Sequence, residues 1–457
     1  MEASLPISAA VNPARIAAVS PPRANTASIW LPLRFMLVGL LALFAGTGWL
    51  VAQPDILANP PYAPDAVAVT HLFVLGWLCS VVMGAVYQLV PVALETKLYS
   101  ERLARWQFAL HVVGVAGMVY LFRAWNMKGV GYFGTVLTIG VVLFVYNIAR
   151  TLGRVPKWNV IATAVALALT WILLTVTAGL LLAAGQRGYA PVLQFNPIAA
   201  MHAHAHLGAI GFFTTLIVGV SYKLVPMFTL SEVQSHRRAL WSVLLLSVGL
   251  TGLFVGILLQ QPWKLGCAFV IIAALALYGC ELRAILRARK RGALDWGVRH
   301  FLTAVAMLFP LSVLAVVLAW PGLPVTEFTG RLESVYGLLG FLGFVSLAII
   351  GMLYKIIPFL IWFGVYSKHI GCARVPALAE MYSAPLQAAG YWTFLAGLVA
   401  TVTAMLLASA AGIRVGCGLL ALSLAILALN VGKILSHYFH PRLAPLNANK
   451  AINRTVI

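Results

Sequence analysis

Long apolar stretches recur along the whole chain and constrain its fold more than any other feature. About twelve of them are long enough to cross a hydrocarbon core of about 30 Å. Because lipid cannot hydrogen-bond open backbone groups, such segments must be helices. A chain that is 62% hydrophobic and 9% charged is therefore predicted to be an all-α integral membrane protein and not a soluble globular domain. The predicted spans lie near residues 30–52, 68–93, 105–123, 130–150, 159–185, 198–229, 239–260, 264–286, 300–320, 333–364, 386–410 and 413–436.

The second, sixth and tenth spans share one spacing of residues. Counted from the first residue of the motif, Gly stands at +5 and +13, Tyr at +16 and Pro at +20 in all three copies. The copies run from His71 to Pro91, from His206 to Pro226 and from Leu338 to Pro358. Such a spacing indicates an internal repeat. We expect three pseudo-threefold four-helix repeats, in which the glycines allow close helix approach and the prolines end the segments. The repeats cover approximately residues 30–152, 159–288 and 299–437.

The net charge of +20 is distributed unevenly between the two sides of the predicted bundle. About 21 lysines and arginines fall on the side of the termini and about 6 on the other, the asymmetry of the positive-inside rule. Orientation in the lipid bilayer therefore explains the basicity, and no nucleic acid is implied. We expect a bacterial-type inner membrane protein with both termini cytoplasmic. Residues 1–29, rich in Ala, Pro and Ser, are predicted to be a disordered cytoplasmic segment, residues 30–437 one membrane domain and residues 438–457 a cytoplasmic tail.

Four of the ten histidines lie toward the outer side of the predicted bundle: His71, His202, His204 and His206. His71 and His206 open equivalent motifs and should sit at similar depth. His202 and His206 share a helix face, whereas His204 is turned away from both by about 200°. Imidazole is the commonest ligand of haem iron, copper and zinc. We therefore predict His71, His204 and His206 as cofactor ligands and His202 and His204 as candidate metal ligands, and we interpret the other six histidines as packing residues.

The twelve spans, the threefold pattern and the segment from His206 to Pro226 resemble subunit I of the haem-copper oxidase superfamily, above all that of the C-type (cbb) oxidases. The architecture is also similar to that of the NnrS-type haem- and copper-containing membrane proteins linked to nitric oxide. The resemblance implies one or two b-type haems and leaves copper open. It also implies a periplasmic cytochrome c or quinol as electron donor and a partner membrane subunit.

Two departures from the family pattern leave two ligand assignments open. The family carries an adjacent His pair for copper on helix seven, but the span 239–260 contains no histidine. The family's His-x-His lies on helix ten, but its equivalent here, His204-Ala-His206, lies on the sixth span. In the favoured assignment His71 and His206 hold one low-spin haem and His204 serves a second haem or a metal. In the other, His204 holds a five-coordinate haem and His71 takes a copper-ligand role.

Three classes of function remain in competition. The leading hypothesis is a redox or gas-handling haem protein that acts in respiratory electron transfer or in O₂ or NO handling. Because the copper His pair is missing, it stays open whether the protein is an enzyme similar to an oxidase or an NO reductase. The rival is a copper or haem transport or assembly protein that uses the outer histidines. The third is an accessory protein that kept the fold without the chemistry.

Overall fold

The computed structural model describes residues 28–59, 61–185 and 195–445, and in these ranges the chain forms twelve long helices. They are α1 (Trp30–Ala52), α2 (Pro64–Ala93), α3 (Glu101–Arg123), α4 (Met127–Leu152), α5 (Val160–Gly185), α6 (Pro197–Thr229), α7 (His236–Leu258), α8 (Lys264–Arg287), α9 (Trp296–Ala319), α10 (Glu327–His369), α11 (Ala384–Leu406) and α12 (Ala410–Phe439). The predicted disordered segment lies almost wholly outside the described residues, and so does most of the predicted tail. Both stay predictions.

Eleven of the twelve helices are long and apolar enough to cross a membrane, so the prediction of an all-α integral membrane protein is confirmed. The twelfth, α3, has the same length as several others, but Glu101, Arg102, Arg105, Gln107 and His111 make it more polar. It packs against α4 along its length, and Gln107 and His111 are buried. The polar residues of α3 therefore lie either against other helices or at the end of the helix near one membrane surface.

The packing repeats every four helices, as the motif predicted. The first helix of each set packs against the second, and the third packs against the fourth. The second helices, α2, α6 and α10, form the centre of the molecule, where the middle segments of α2 and α6 each contact that of α10. There the indole N–H of Trp77 on α2 donates to Ser346 Oγ on α10 at 2.9 Å. The other helices surround this centre.

The second glycine of each motif marks a close helix contact, which confirms its interpretation. A Cβ at Gly84 would lie 2.7 Å from the Cβ of Phe35 on α1, and one at Gly351 would lie 2.5 Å from the carbonyl oxygen of Gly297 on α9. At Gly219 an added Cβ would overlap the Cβ of Ala164 on α5. In each repeat, the glycine thus lets the central helix meet the first helix of its own repeat.

The interpretation of the prolines needs correction. Pro91, Pro226 and Pro358 all lie inside helices. The first two helices end within three residues, at Ala93 and Thr229, but α10 continues through Pro358 into its last turns. Proline lacks only one donor and restrains the preceding residue, and neighbouring helices can compensate for this in a membrane bundle.

Each central helix contains a π-helical segment that begins directly after the first residue of the motif. The wider turn leaves carbonyl groups without their usual helical donor, and nearby hydroxyls supply one. Ser80 Oγ donates to Leu75 O at 3.4 Å, and Thr215 Oγ1 donates to Ile210 O at 3.1 Å. The three segments are Leu72–Cys79, Leu207–Thr214 and Leu339–Ser346.

A buried polar link joins the third and fourth helices of each repeat at the face that carries most of the basic loops, here called the basic face. Asn147 accepts from the Ser100 N–H at 3.0 Å and donates to its carbonyl at 2.7 Å. Asn430 makes the same pair of bonds to Ser383, at 2.9 and 3.0 Å. In the second repeat a carboxylate, Glu281, occupies this place. The basic face comprises the loops at 94–100, 153–159, 230–235, 288–295 and 370–383.

Candidate functional site

The imidazole of His71 is fixed by its own helix and by α3. Its Nδ1 lies 2.8 Å from the carbonyl oxygen of Val67, one turn earlier on α2, and the ring stacks on Phe122 with centroids 4.3 Å apart. A carbonyl only accepts, so Nδ1 carries the proton and Nε2 keeps its lone pair. Metal-ligating histidines commonly have this tautomer, held in the same way.

His206 has the same internal arrangement but a different neighbour. Its Nδ1 donates to the carbonyl oxygen of His202 at 2.7 Å. Its Nε2 faces the hydroxyl of Tyr336 on α10 at 3.4 Å, and the two rings stack with centroids 5.9 Å apart. His206 therefore lies at the contact between the second and third repeats, where a phenol is its partner.

His204 is turned to the other side of α6, as the helical spacing predicted. Its Nδ1 is buried and forms no hydrogen bond of normal geometry in the described part of the chain, although the backbone of Thr175 approaches the ring. The ring lies against Gly179 of α5, where an added Cβ would be 3.0 Å from Cε1. His71 is near enough for the charge on one imidazole to act on the other. His204 thus lies at the contact between the first and second repeats.

These contacts follow one geometric rule. The residue that opens the motif in one repeat faces the residue two positions before the motif in the next. By this rule His206 contacts Tyr336, and His71 lies on the side of His204, near enough for their charges to interact. The remaining interface would pair Leu338 with Val69, both of which are buried. The three interfaces therefore offer two imidazoles, an imidazole with a phenol, and two aliphatic side chains.

His202 belongs to a polar cluster at the outer ends of the central helices. The hydroxyl of Tyr62, in the loop before α2, donates to Glu333 Oε2 on α10 at 2.7 Å and lies 3.3 Å from His202 Nε2. Burial, the hydrogen bond to Glu333 and the negative charge of that carboxylate raise the pKa of Tyr62. A neutral phenol therefore joins all three repeats at this end.

The described residues contain no group of three or more His, Cys, Asp or Glu arranged to hold a metal ion. The two predicted metal ligands lie on different sides of α6. His202 contacts Tyr62, and His204 contacts Gly179. A metal at either position would need other ligands or a cofactor that brings its own. Imidazole bound to the iron of a porphyrin meets that requirement.

One of the six histidines interpreted as packing residues lies within the bundle. His111 is in the middle of α3 and is buried, and its Nε2 lies 2.9 Å from Ser80 Oγ and 3.1 Å from Leu75 O. It supports the π-helical segment of α2. His300 and His437 contact nearby tyrosines, Tyr391 and Tyr366, as expected of packing residues, whereas His236 and His440 are exposed.

The polar residues of this region fit a haem in two respects: a buried imidazole nitrogen lacks a partner, and a glycine lies against that ring. No protein-family model matches the sequence, and no curated protein matches it. The fold is similar to that of a haem-copper terminal oxidase whose dimer structure was determined by electron cryo-microscopy, with a TM-score of 0.66 and 12% identity. The alignment covers 91% of this chain and 86% of the oxidase chain. At this level of identity the similarity is one of fold.

Proposed function

We propose that this chain is a membrane haem protein that holds a b-type haem at the contact between its first and second repeats. The observation that carries the proposal is the pair of His71 and His204. One has its Nε2 set by a backbone hydrogen bond, and the other has a buried nitrogen without a partner. Leaving the Nδ1 of His204 unpaired in a buried position is costly, and an iron bond made by that same atom would remove the cost.

This geometry favours His71 with His204 over the pair that the sequence suggested, His71 with His206. His206 faces Tyr336 at the neighbouring interface, so it would serve a separate group, a second haem or a copper ion. The stacking of His71 on Phe122 and the contact of His204 with Gly179 would hold both rings in place. The bound haem would supply one-electron redox chemistry or a binding position for a diatomic gas.

The reaction that we propose is electron transfer or the handling of O₂ or NO, carried out as an oxidoreductase related in fold to terminal oxidases. The helix that carries the copper His pair in that family corresponds to α7, whose one histidine, His236, is its first residue and is exposed. The histidines of the site lie toward the face opposite the basic face. Electrons would therefore come from a periplasmic cytochrome c or from quinol, with a partner membrane subunit as a further expectation.

The test is the optical spectrum of the detergent-purified protein, oxidised and reduced with dithionite, with a pyridine haemochrome assay and copper analysis on the same sample. We expect a b-type haem signal that His71→Ala and His204→Ala abolish and that His206→Ala keeps in part or in full. His236→Ala is the matched control, because His236 is exposed at the basic face. Loss of the signal in His71→Ala and His206→Ala but not in His204→Ala would favour the other pairing. A wild-type protein without haem would refute the proposal.

A second candidate function is the transport or assembly of copper or haem. It is favoured by His202, whose ring lies beside Tyr62 and near the carboxylate of Glu333 at the outer end of the bundle. The same sample decides between the two. Copper without haem, lost in His202→Ala, would support metal handling over the haem proposal.

A further inference from the structure

A cavity of about 720 Å³ opens on the basic face between the ends of α7 and α8. It is far from the histidines of the candidate site, which lie toward the opposite face. Three arginines line it, Arg238 on α7 and Arg283 and Arg287 on α8, together with Gln234. The cavity is wide open at the surface, and its lining is strongly cationic.

One of the three guanidinium groups is held in place by a buried carboxylate. Glu281 has a side chain with 0% exposure and bonds Arg238 Nη2 and Nε, each at 2.8 Å. Its other oxygen accepts from the backbone N–H groups of Gln234 and Ser235, at 2.6 and 2.9 Å. Arg238 is thus oriented before any ligand arrives, which lowers the entropic cost of binding.

Arg283 and Arg287 leave the cavity with an excess of positive charge. In the part of the chain that the structure describes, neither forms an ion pair with an acidic side chain. The single carboxylate, Glu281, is buried beneath Arg238. Three guanidinium groups against one carboxylate leave two positive charges facing the opening.

Comparison of the repeats shows that the fold does not need these charges. The positions of Arg238 in the first and third repeats hold Leu103 and Leu386. Those of Arg283 hold Ala149 and Gly432, and those of Arg287 hold Gly153 and Ser436. The polar link at Glu281 is made elsewhere by uncharged Asn147 and Asn430. The first repeat also has a cavity at this place, lined by Arg102 and by no other basic residue, so it is the lining of three arginines that distinguishes the second repeat.

We propose that this cavity binds a phosphate group carried by a phosphate ester. Guanidinium groups match phosphate oxygens in geometry and charge. The cavity lies at the ends of two spanning helices, and Trp241, one turn along α7 from Arg238, is 54% exposed, as is typical of side chains at the headgroup level. Basic pockets between spanning helices bind the headgroups of anionic lipids. A soluble phosphate ester offers the same chemistry.

The experiment measures ligand retention by the full-length purified protein with native mass spectrometry. One arm adds phosphatidylglycerol, with phosphatidylcholine for comparison, and the other adds glycerol 3-phosphate. We expect Arg283→Gln/Arg287→Gln to lower retention at least tenfold, since each basic side chain near a membrane surface adds to the attraction of anionic lipid. If the double variant retains less phosphatidylglycerol but as much glycerol 3-phosphate as the wild type, the ligand is a lipid. If it retains less glycerol 3-phosphate, the ligand is a soluble ester.

Two further variants separate a built site from general basicity. Arg289→Gln/Lys290→Gln removes the same charge from exposed residues that do not line the cavity and should retain ligand as the wild type does. Ala284→Trp fills the cavity and keeps every arginine, and it should lose the ligand. Equal retention by the wild type and Arg283→Gln/Arg287→Gln in both arms would overturn the proposal. Equal loss in the control pair would overturn it as well.

Discussion

Single residues decide what each interface between repeats can hold. His71 lies near His204 at one interface, and His206 contacts Tyr336 at another, although the backbone around them is alike. The difference comes from side chains at two positions of a motif whose other residues are shared. Those shared residues are glycines and a tyrosine that serve packing, and their effects should be separable from those of the histidines.

Gly219 is the shared residue whose replacement should be felt most. In Gly219→Val, the new side chain would collide with Ala164 of α5, and such overpacking costs about 1–3 kcal/mol. We expect a lower midpoint of thermal unfolding in detergent. Gly266→Val on α8 is the matched control, since nothing lies within 4 Å of a Cβ there. If both variants unfolded at the same temperature, the close packing of α6 against α5 at Gly219 would be contradicted.

At the scale of elements, the π-helical segments set the direction of the central helices. Each begins directly after the first residue of the motif, so the residues before it and after it follow different helical phases. The freed carbonyl of Leu75 is shared between Ser80 and His111. In the second repeat a hydroxyl alone meets the same need, and Leu246 stands at the position of His111.

His111 should therefore be replaceable by the residue of the second repeat. His111→Leu removes two hydrogen bonds, but it also removes a buried Nδ1 that has no partner among the described residues. Because Ser80 still contacts Leu75 O, we expect a change in the free energy of unfolding below about 1 kcal/mol. The haem content should stay at the wild-type level. A loss of haem in this variant, measured by the pyridine haemochrome assay, would make His111 part of the cofactor site.

Much of this element structure followed from the sequence. Apolar length predicted eleven of the spans, and the motif predicted the repeat and the tight contacts of Gly84, Gly219 and Gly351. The π-helical segments could not be predicted, because an extra residue per turn leaves the apolar composition unchanged. The pair that we propose, His71 with His204, differs from the favoured assignment of the sequence analysis, because its proposal depends on how neighbouring repeats meet and not on helical period within one of them.

At the scale of the whole molecule, the uneven charge predicts which face meets the cytoplasm. Cys280 and Cys372 are exposed, and both lie at or near the basic face. A membrane-impermeant maleimide should label them in inside-out vesicles and not in intact spheroplasts. Mass spectrometry of the labelled protein measures this directly.

A cysteine on the opposite face provides the control. Val325 lies in the loop before α10 and is fully exposed. Val325→Cys, in a chain with Cys280→Ser and Cys372→Ser, should be labelled in spheroplasts only. The reverse pattern in both proteins would mean that the basic face is external, and the donor side proposed above would then change with it.

The π-helical segments at the same place in the three central helices also bear on how the chain evolved. An insertion that stands at the same place in three copies is most simply inherited from one ancestral unit of four helices. Three separate units of that kind, assembled around an axis, would have presented three identical contacts. Joining them in one polypeptide removed that constraint, so each contact could change alone. The three interfaces now differ in their residues: two histidines at one, a histidine with a tyrosine at another, and two aliphatic residues at the third.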